Sequence, residues 1–218
     1  MSIASRGLAI YPYFTLAKES LSYPPKSYTV PVLGAGFRLV TPAGLAKGLE
    51  EGNTLKLQFL EVFRPDLLSA VRQLDVALHG KSTLYGFLTP PGTRGLSVHR
   101  DASSVVVYQV SGRKSWHVWR PDDASEVPSK AGLVPTPSGE EITFTLEPGD
   151  VMFLPFGWPH AAEAFDDEAS FHLTWTIDHL SPEEFLSFTS RVPTLESMEP
   201  ISALIAARSA YGYGDTHA

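Results

Sequence analysis

The chain has 218 residues, 43% of them hydrophobic and 19% charged, with a formal net charge of −7 and no cysteine. That size and composition fit one globular domain spanning residues 1–218, with a sizeable core. The acidic balance gives no basic footprint for nucleic acid, and without cysteine neither a disulfide framework nor a thiolate metal site can form. The N-terminus carries no apolar run of signal-peptide type and no stretch reaches membrane-spanning length. A cytoplasmic protein with no membrane partner is the expectation.

Residues 1–50 are rich in Pro, Gly and aromatics (Tyr11-Pro12-Tyr13-Phe14, Tyr23-Pro24-Pro25). They read as an N-terminal extension of short strands and loops, with a strand near Tyr28–Leu33. Leu55–Leu60 alternates apolar and polar residues, the mark of a half-buried strand. Pro65 then opens a helix in which Leu67, Leu68, Val71, Leu74 and Leu78 recur at helical spacing, and His79-Gly80 closes it. From Lys81 the pattern becomes strands between turn signals: Thr83–Leu88, Val105–Val110 and Lys114–Trp119. Residues 121–141 form a polar, Pro-rich excursion, either a solvated linker or a flap facing the substrate. Ile142–Leu146, a Glu147-Pro148-Gly149-Asp150 turn and Val151–Leu154 read as a hairpin. In the next strand Phe171, Leu173, Trp175 and Ile177 alternate with His172, Thr174, Thr176 and Asp178. Residues 179–218 are read as two helices, one opened by Ser181-Pro182-Glu183-Glu184 and a second over Glu199–Ala210. Many short strands with helices at the edges predict a mainly β fold, a double-stranded β-helix of the jelly-roll or cupin kind, with residues 51–178 as its core.

Within that pattern, His99-Arg100-Asp101 places an imidazole and a carboxylate two residues apart, on one face of an extended backbone. Downstream, His160 follows the rigid segment Pro155-Phe156-Gly157-Trp158-Pro159. Two histidines and one carboxylate with open coordination positions are the donor set of non-haem Fe(II) oxygenases. His99, Asp101 and His160 are therefore the candidate metal ligands and catalytic centre. Lys114, after a β-branched strand and flanked by Trp116 and Trp119, turns inward only if it meets an anion. Arg113 is its neighbour of opposite facing.

Five segments occur in order: Glu51–Leu55, Tyr85–Gly92, His99–Asp101, Gln109–Trp116 and Leu146–His160. Together they resemble the JmjC/cupin-like 2-oxoglutarate oxygenases, in particular the bacterial protein-hydroxylase branch related to ribosomal oxygenases, over roughly residues 50–178. The resemblance implies Fe(II) as metal, 2-oxoglutarate and O2 as co-substrates, and hydroxylation of an amino-acid side chain in a protein or peptide, or of a related small molecule. It also implies that Lys114, in the G-R-K-x-W segment, anchors the distal carboxylate of 2-oxoglutarate. Thr174 is the first candidate for a hydroxyl partner of that carboxylate, followed by Thr89 and Tyr85.

Two other readings stay open at this point. One is a metal-dependent cupin enzyme without 2-oxoglutarate, which needs the three ligands but not Lys114. The other is a non-catalytic cupin used for binding. His172, His117 and His179 are read as core or surface residues first, with a pocket role as the alternative for His172 because it shares the strand face of Thr174, and Trp158 as a residue of the pocket mouth. The acidic clusters Glu50-Glu51, Asp122-Asp123 and Asp166-Asp167-Glu168 are read as solvated turns. The C-terminal helices have apolar faces (Phe185, Phe188, Leu195; Ile201, Leu204, Ile205), for packing on the barrel or for a homodimer.

Overall fold

The structure, a computed structural model, describes residues 10–11, 13–18, 21–23, 27–29, 38–121 and 132–180. The expected helices after residue 180, with the dimer built on them, and most of the Tyr28–Leu33 strand lie outside the described residues. No helix among those described is long and apolar enough to cross a membrane.

In chain order the first elements are β1 (Ile10–Tyr11), β2 (Phe14–Lys18), β3 (Leu21–Tyr23), β4 (Ser27–Thr29) and β5 (Arg38–Val40). They are followed by α1 (Pro42–Glu50), β6 (Thr54–Leu57), α2 (Leu60–Phe63), α3 (Pro65–Ala77) and β7 (Gly80–Thr89). The second half is β8 (His99–Arg100), β9 (Ser104–Ser111), β10 (Lys114–Trp119) and β11 (Gly132–Leu133). It ends with β12 (Glu141–Leu146), β13 (Val151–Leu154), β14 (His160–Ala164) and β15 (Ser170–His179). A seven-stranded sheet runs β13-β9-β15-β7-β6-β2-β3, a five-stranded sheet runs β11-β8-β14-β10-β12, and a small one runs β1-β5-β4. All the pairings are antiparallel.

Packing is in three layers. On the outer face of the larger sheet, Leu60, Val71, Leu74 and Leu78 of the α2–α3 region bury Leu84, Val106, Leu173, Trp175 and Ile177. Between the two sheets, Val105 and Val107 of β9 meet Trp116, Val118, Leu146, Met152 and Leu154. The alternation along β15 is that division read residue by residue: Leu173, Trp175 and Ile177 face the helices, while His172, Thr174 and Thr176 line the space between the sheets. Two facing antiparallel sheets closed at one end by a core and open at the other make the expected double-stranded β-helix.

Four local expectations are corrected. Residues 42–50, read as strand and loop, form α1: Thr41 Oγ1 accepts from the Gly44 N–H at 3.0 Å and Pro42 occupies the first helical position. The strand expected through Leu60 stops at Leu57, because Phe59 takes a left-handed conformation (φ 54°) and turns the chain into α2. The end of α3 is turned by His79 (φ 49°) rather than by Gly80. Gly80 opens β7, where a Cβ would lie 2.7 Å from Ile177 Cγ2, so its role is close approach. Finally, β12 and β13 are not a hairpin. β12 pairs with β10 and β13 with β9, so the Glu147–Asp150 turn, with Gly149 at φ 100°, carries the chain from one sheet to the other.

One edge of β7 is closed by side chains instead of a strand. β6 reaches only Gly86, Phe87 and Leu88. Beyond them the Leu84 N–H donates to Glu61 Oε2 at 3.2 Å and the Ser82 N–H to Asp75 Oδ1 at 2.5 Å. Helix carboxylates thus satisfy backbone donors that would otherwise be buried without partners.

Candidate active site

The sheets enclose a cavity of about 510 Å3 at their open end. His99 stands on β8, Asp101 directly after it, and His160 opens β14 as the cross-strand partner of His99. One donor atom from each of the three lies within 4.8 Å of the others, and the two imidazole centroids are 4.2 Å apart. His160 Nε2 lies 3.7 Å from Asp101 Oδ2. Each ring is held from behind: His99 Nδ1 sits 2.9 Å from Ser97 O, and His160 Nδ1 sits 3.0 Å from Trp158 O. A carbonyl only accepts, so Nδ1 is the donor in each bond and Nε2 of each ring is the nitrogen left for a metal. Burial first, and the neighbouring His99 second, push His160 down to about 4, against the opposing pull of Asp101, so its imidazole is neutral at pH 7. Two imidazoles and a carboxylate, preset on two neighbouring backbone segments, suit a divalent ion of the iron type.

Lys114 begins β10 and lines the same cavity at 2% exposure. Its Nζ donates to Thr89 Oγ1 at 2.8 Å, and Thr89 Oγ1 is 3.1 Å from Thr54 Oγ1. Burial alone pushes its ammonium down to about 7. Thr174 and Tyr85 are cross-strand partners and both line the cavity. Thr89 is fully buried behind Lys114, with its hydroxyl engaged by Lys114 and Thr54. Arg113 faces the other way, its guanidinium bridging Asp167 (2.8 Å) and Glu168 (2.9 Å) and covering the Phe165 ring. The turn at residues 166–168, read as solvated, therefore has two of its three charges paired.

Sequence reasoning missed several residues of the site. His172, expected first in the core or at the surface and second in the pocket, is buried and lines the cavity, stacked on Phe87 (centroids 5.0 Å apart) and edge-on to Trp116 (5.6 Å). Burial, then Lys114 and His160, hold it well below the usual histidine range. Among the described residues its Nδ1 has no hydrogen-bond partner, and the same is true of Trp116 Nε1. Trp116 is both core and cavity wall, 6.0 Å from the His160 ring. Lys56 also lines the cavity, and so does Leu133, where the excursion after residue 121 returns beside β8. Trp158, expected at the pocket mouth, packs instead against the core between the sheets. The signal for His172 and Lys56 was their alternation, since both lie on the polar face of their strands. In this fold that face is the inside of the barrel.

A profile of the JmjC domain matches residues 63–185. Ribosomal oxygenase 1 of Rattus norvegicus is 34% identical over 140 residues, which cover 61% of this chain and 23% of the rat protein. The bifunctional lysine-specific demethylase and histidyl-hydroxylase NO66 of Culex quinquefasciatus is 32% identical over 133 residues, covering 59% of this chain and 20% of that protein. The chain thus spans about a quarter or less of the length of these relatives. Among solved structures, the ribosomal oxygenase YcfD of Escherichia coli superposes with a TM-score of 0.52 over 92% of this chain and 56% of that one, at 19% identity, a likeness of fold. With its profile match covering more than half the sequence and its two-sheet fold shared, the chain belongs to the JmjC domain family.

Proposed function

We propose that this chain is an Fe(II)- and 2-oxoglutarate-dependent oxygenase that hydroxylates an amino-acid side chain in a protein or peptide, or a related small molecule. The observation that carries the reading is the meeting in one cavity of the His99–Asp101–His160 cluster and a buried lysine whose hydrogen bond, among the described residues, goes to a threonine. The names of the relatives, ribosomal oxygenase and histidyl-hydroxylase, support a protein residue as substrate.

His99 Nε2, His160 Nε2 and an Asp101 oxygen would hold the metal. When bound, iron with 2-oxoglutarate and O2 supplies oxidative decarboxylation coupled to insertion of one oxygen atom into a C–H bond. The chain supplies the rest. Lys114 would take the distal carboxylate, with Thr174 as its hydroxyl neighbour, and Thr89 and Thr54 would keep the ammonium in place. Val105, Val107 and Trp116 wall that end against water. A cupin chemistry without 2-oxoglutarate leaves Lys114 without a task, and a buried ammonium costs several kcal/mol (order of magnitude) if it serves nothing.

Equilibrium dialysis against Mn(II), followed by 2-oxoglutarate titration, tests both halves. One metal per chain is expected, lost in His99→Ala and His160→Ala. In Lys114→Met the metal is retained and 2-oxoglutarate affinity falls about a hundredfold, the scale of removing one member of a buried charge pair. Metal binding that survives both histidine changes contradicts the assignment.

A further inference from the structure

Lys56 is a second cation in the cavity, and among the described residues no ion pair reaches it. It stands on β6 opposite Phe87, with its Nζ 4.8 Å from the centroid of Tyr85 and 5.8 Å from that of Phe87. Among the described residues no oxygen takes a hydrogen bond from it, so its three N–H groups meet only ring faces and the cavity. Burial pulls its ammonium below the usual lysine range, and the opposing influence is the carboxylate of Asp101.

Resting on the oxygenase reading above, the charges of a loaded site can be paired. A divalent metal and Lys114 together balance Asp101 and the two carboxylates of 2-oxoglutarate. Asp178, the other carboxylate of the lining, is exposed to solvent at the rim. Lys56 is left as the uncompensated charge. It also stands apart from the co-substrate's end. Thr54, two residues earlier on the same face of β6, belongs to the Thr89–Lys114 chain. Two residues of strand advance about 7 Å, so Lys56 marks a separate subsite, toward Tyr85.

We propose that Lys56 receives a carboxylate of the primary substrate, so that the group presented to the metal belongs to an acidic molecule or an acidic side chain. Tyr85 and Phe87 form the floor that holds the ammonium up to it.

The test is calorimetric titration of the Mn(II)-loaded protein saturated with N-oxalylglycine, an unreactive analogue of 2-oxoglutarate. The probes are blocked peptides Ac-Gly-Xaa-Gly-NH2 with Xaa as Asp, Asn, Glu, Gln or Arg, and free aspartate and glutamate. At least one acidic probe is expected to bind about tenfold or more tighter than its amide counterpart, a preference lost in Lys56→Met and kept in Lys56→Arg. Tighter binding of the blocked peptides marks a protein side chain as the source, and tighter binding of the free acids marks a small molecule. Equal affinity for acids and amides, preference for the arginine peptide, or no binding by any probe overturns the proposal. So does Lys56→Met weakening N-oxalylglycine as strongly as Lys114→Met, which makes Lys56 a co-substrate anchor instead. Failure of the metal-loaded native protein to bind N-oxalylglycine removes the oxygenase reading itself, and this proposal with it.

Discussion

Lys114 is a charge held where charge is expensive, and pH acts on it in two opposite ways. Its folded pKa, about 7, lies below the ordinary lysine value of 10.5. Between those values the unfolded chain binds the proton that the folded chain has released. The metal-free, ligand-free protein therefore gains stability as pH rises from about 7 toward 10.5 and loses it again on return. Ligand binding has the other sign, because an anion needs the protonated form. The affinity of 2-oxoglutarate for the metal-loaded protein is expected to weaken as pH rises above 7, by up to tenfold per unit. Denaturant midpoints and titrations at pH 6.5, 7.5 and 8.5 measure both, and both slopes should flatten in Lys114→Met. At this scale the sequence was legible where a motif named the residue and blind where only burial did. The spacing of His99 and Asp101 and the position of Lys114 could be read in advance. Lys56 looked like the wet side of its strand, and His172 ranked behind core or surface roles despite sharing a face with Thr174, because a single chain does not say that the polar side of a strand is enclosed by a second sheet.

Elements carry the next set of consequences. The N–H groups of Ser82 and Leu84 rely on Asp75 and Glu61, since β6 ends before reaching them. Asp75→Ala leaves a buried donor unpaired and is expected to cost about 1–3 kcal/mol of stability, read from denaturant unfolding. Hydrogen exchange should speed at the Ser82 amide while Leu173 and Trp175, inside the β15 ladder, stay protected. Thr41→Ala removes the cap of α1 and should cost about 0.5–2 kcal/mol. Strand identity itself was readable here, from the β-branched run Val105–Val107 and the alternation along β15. Strand partnership was not. β12 and β13 with a Pro-Gly turn have the local chemistry of a hairpin, yet they join different sheets. Apolar side chains from both, Leu146, Met152 and Leu154, meet in the core between the sheets, and that requirement is not local. The left-handed turn at Phe59 was unreadable for a similar reason, since a bulky aromatic does not announce a positive φ; His79 is of a type enriched there, but Gly80 beside it drew the assignment.

For the molecule as a whole, the three layers divide labour. The α2–α3 region and the outer face of the larger sheet form one core, and the closed end between the sheets forms another. What remains open is a cavity whose walls come from both sheets, with His99, Asp101 and His160 on or beside the smaller one and Lys56, Tyr85 and Thr174 on the larger. A site divided between two sheets depends on their spacing. A core change at the closed end, such as Met152→Ala, is therefore expected to weaken metal affinity as well as stability, by loosening β9 against β10. The most direct test of the central claim is anaerobic addition of Fe(II) and then 2-oxoglutarate, watching for the weak metal-to-ligand charge-transfer absorption in the visible. The band is expected in the native protein, absent in His99→Ala, and shifted to much higher 2-oxoglutarate concentration in Lys114→Met. Stoichiometric iron without any band on saturation with 2-oxoglutarate would contradict the account.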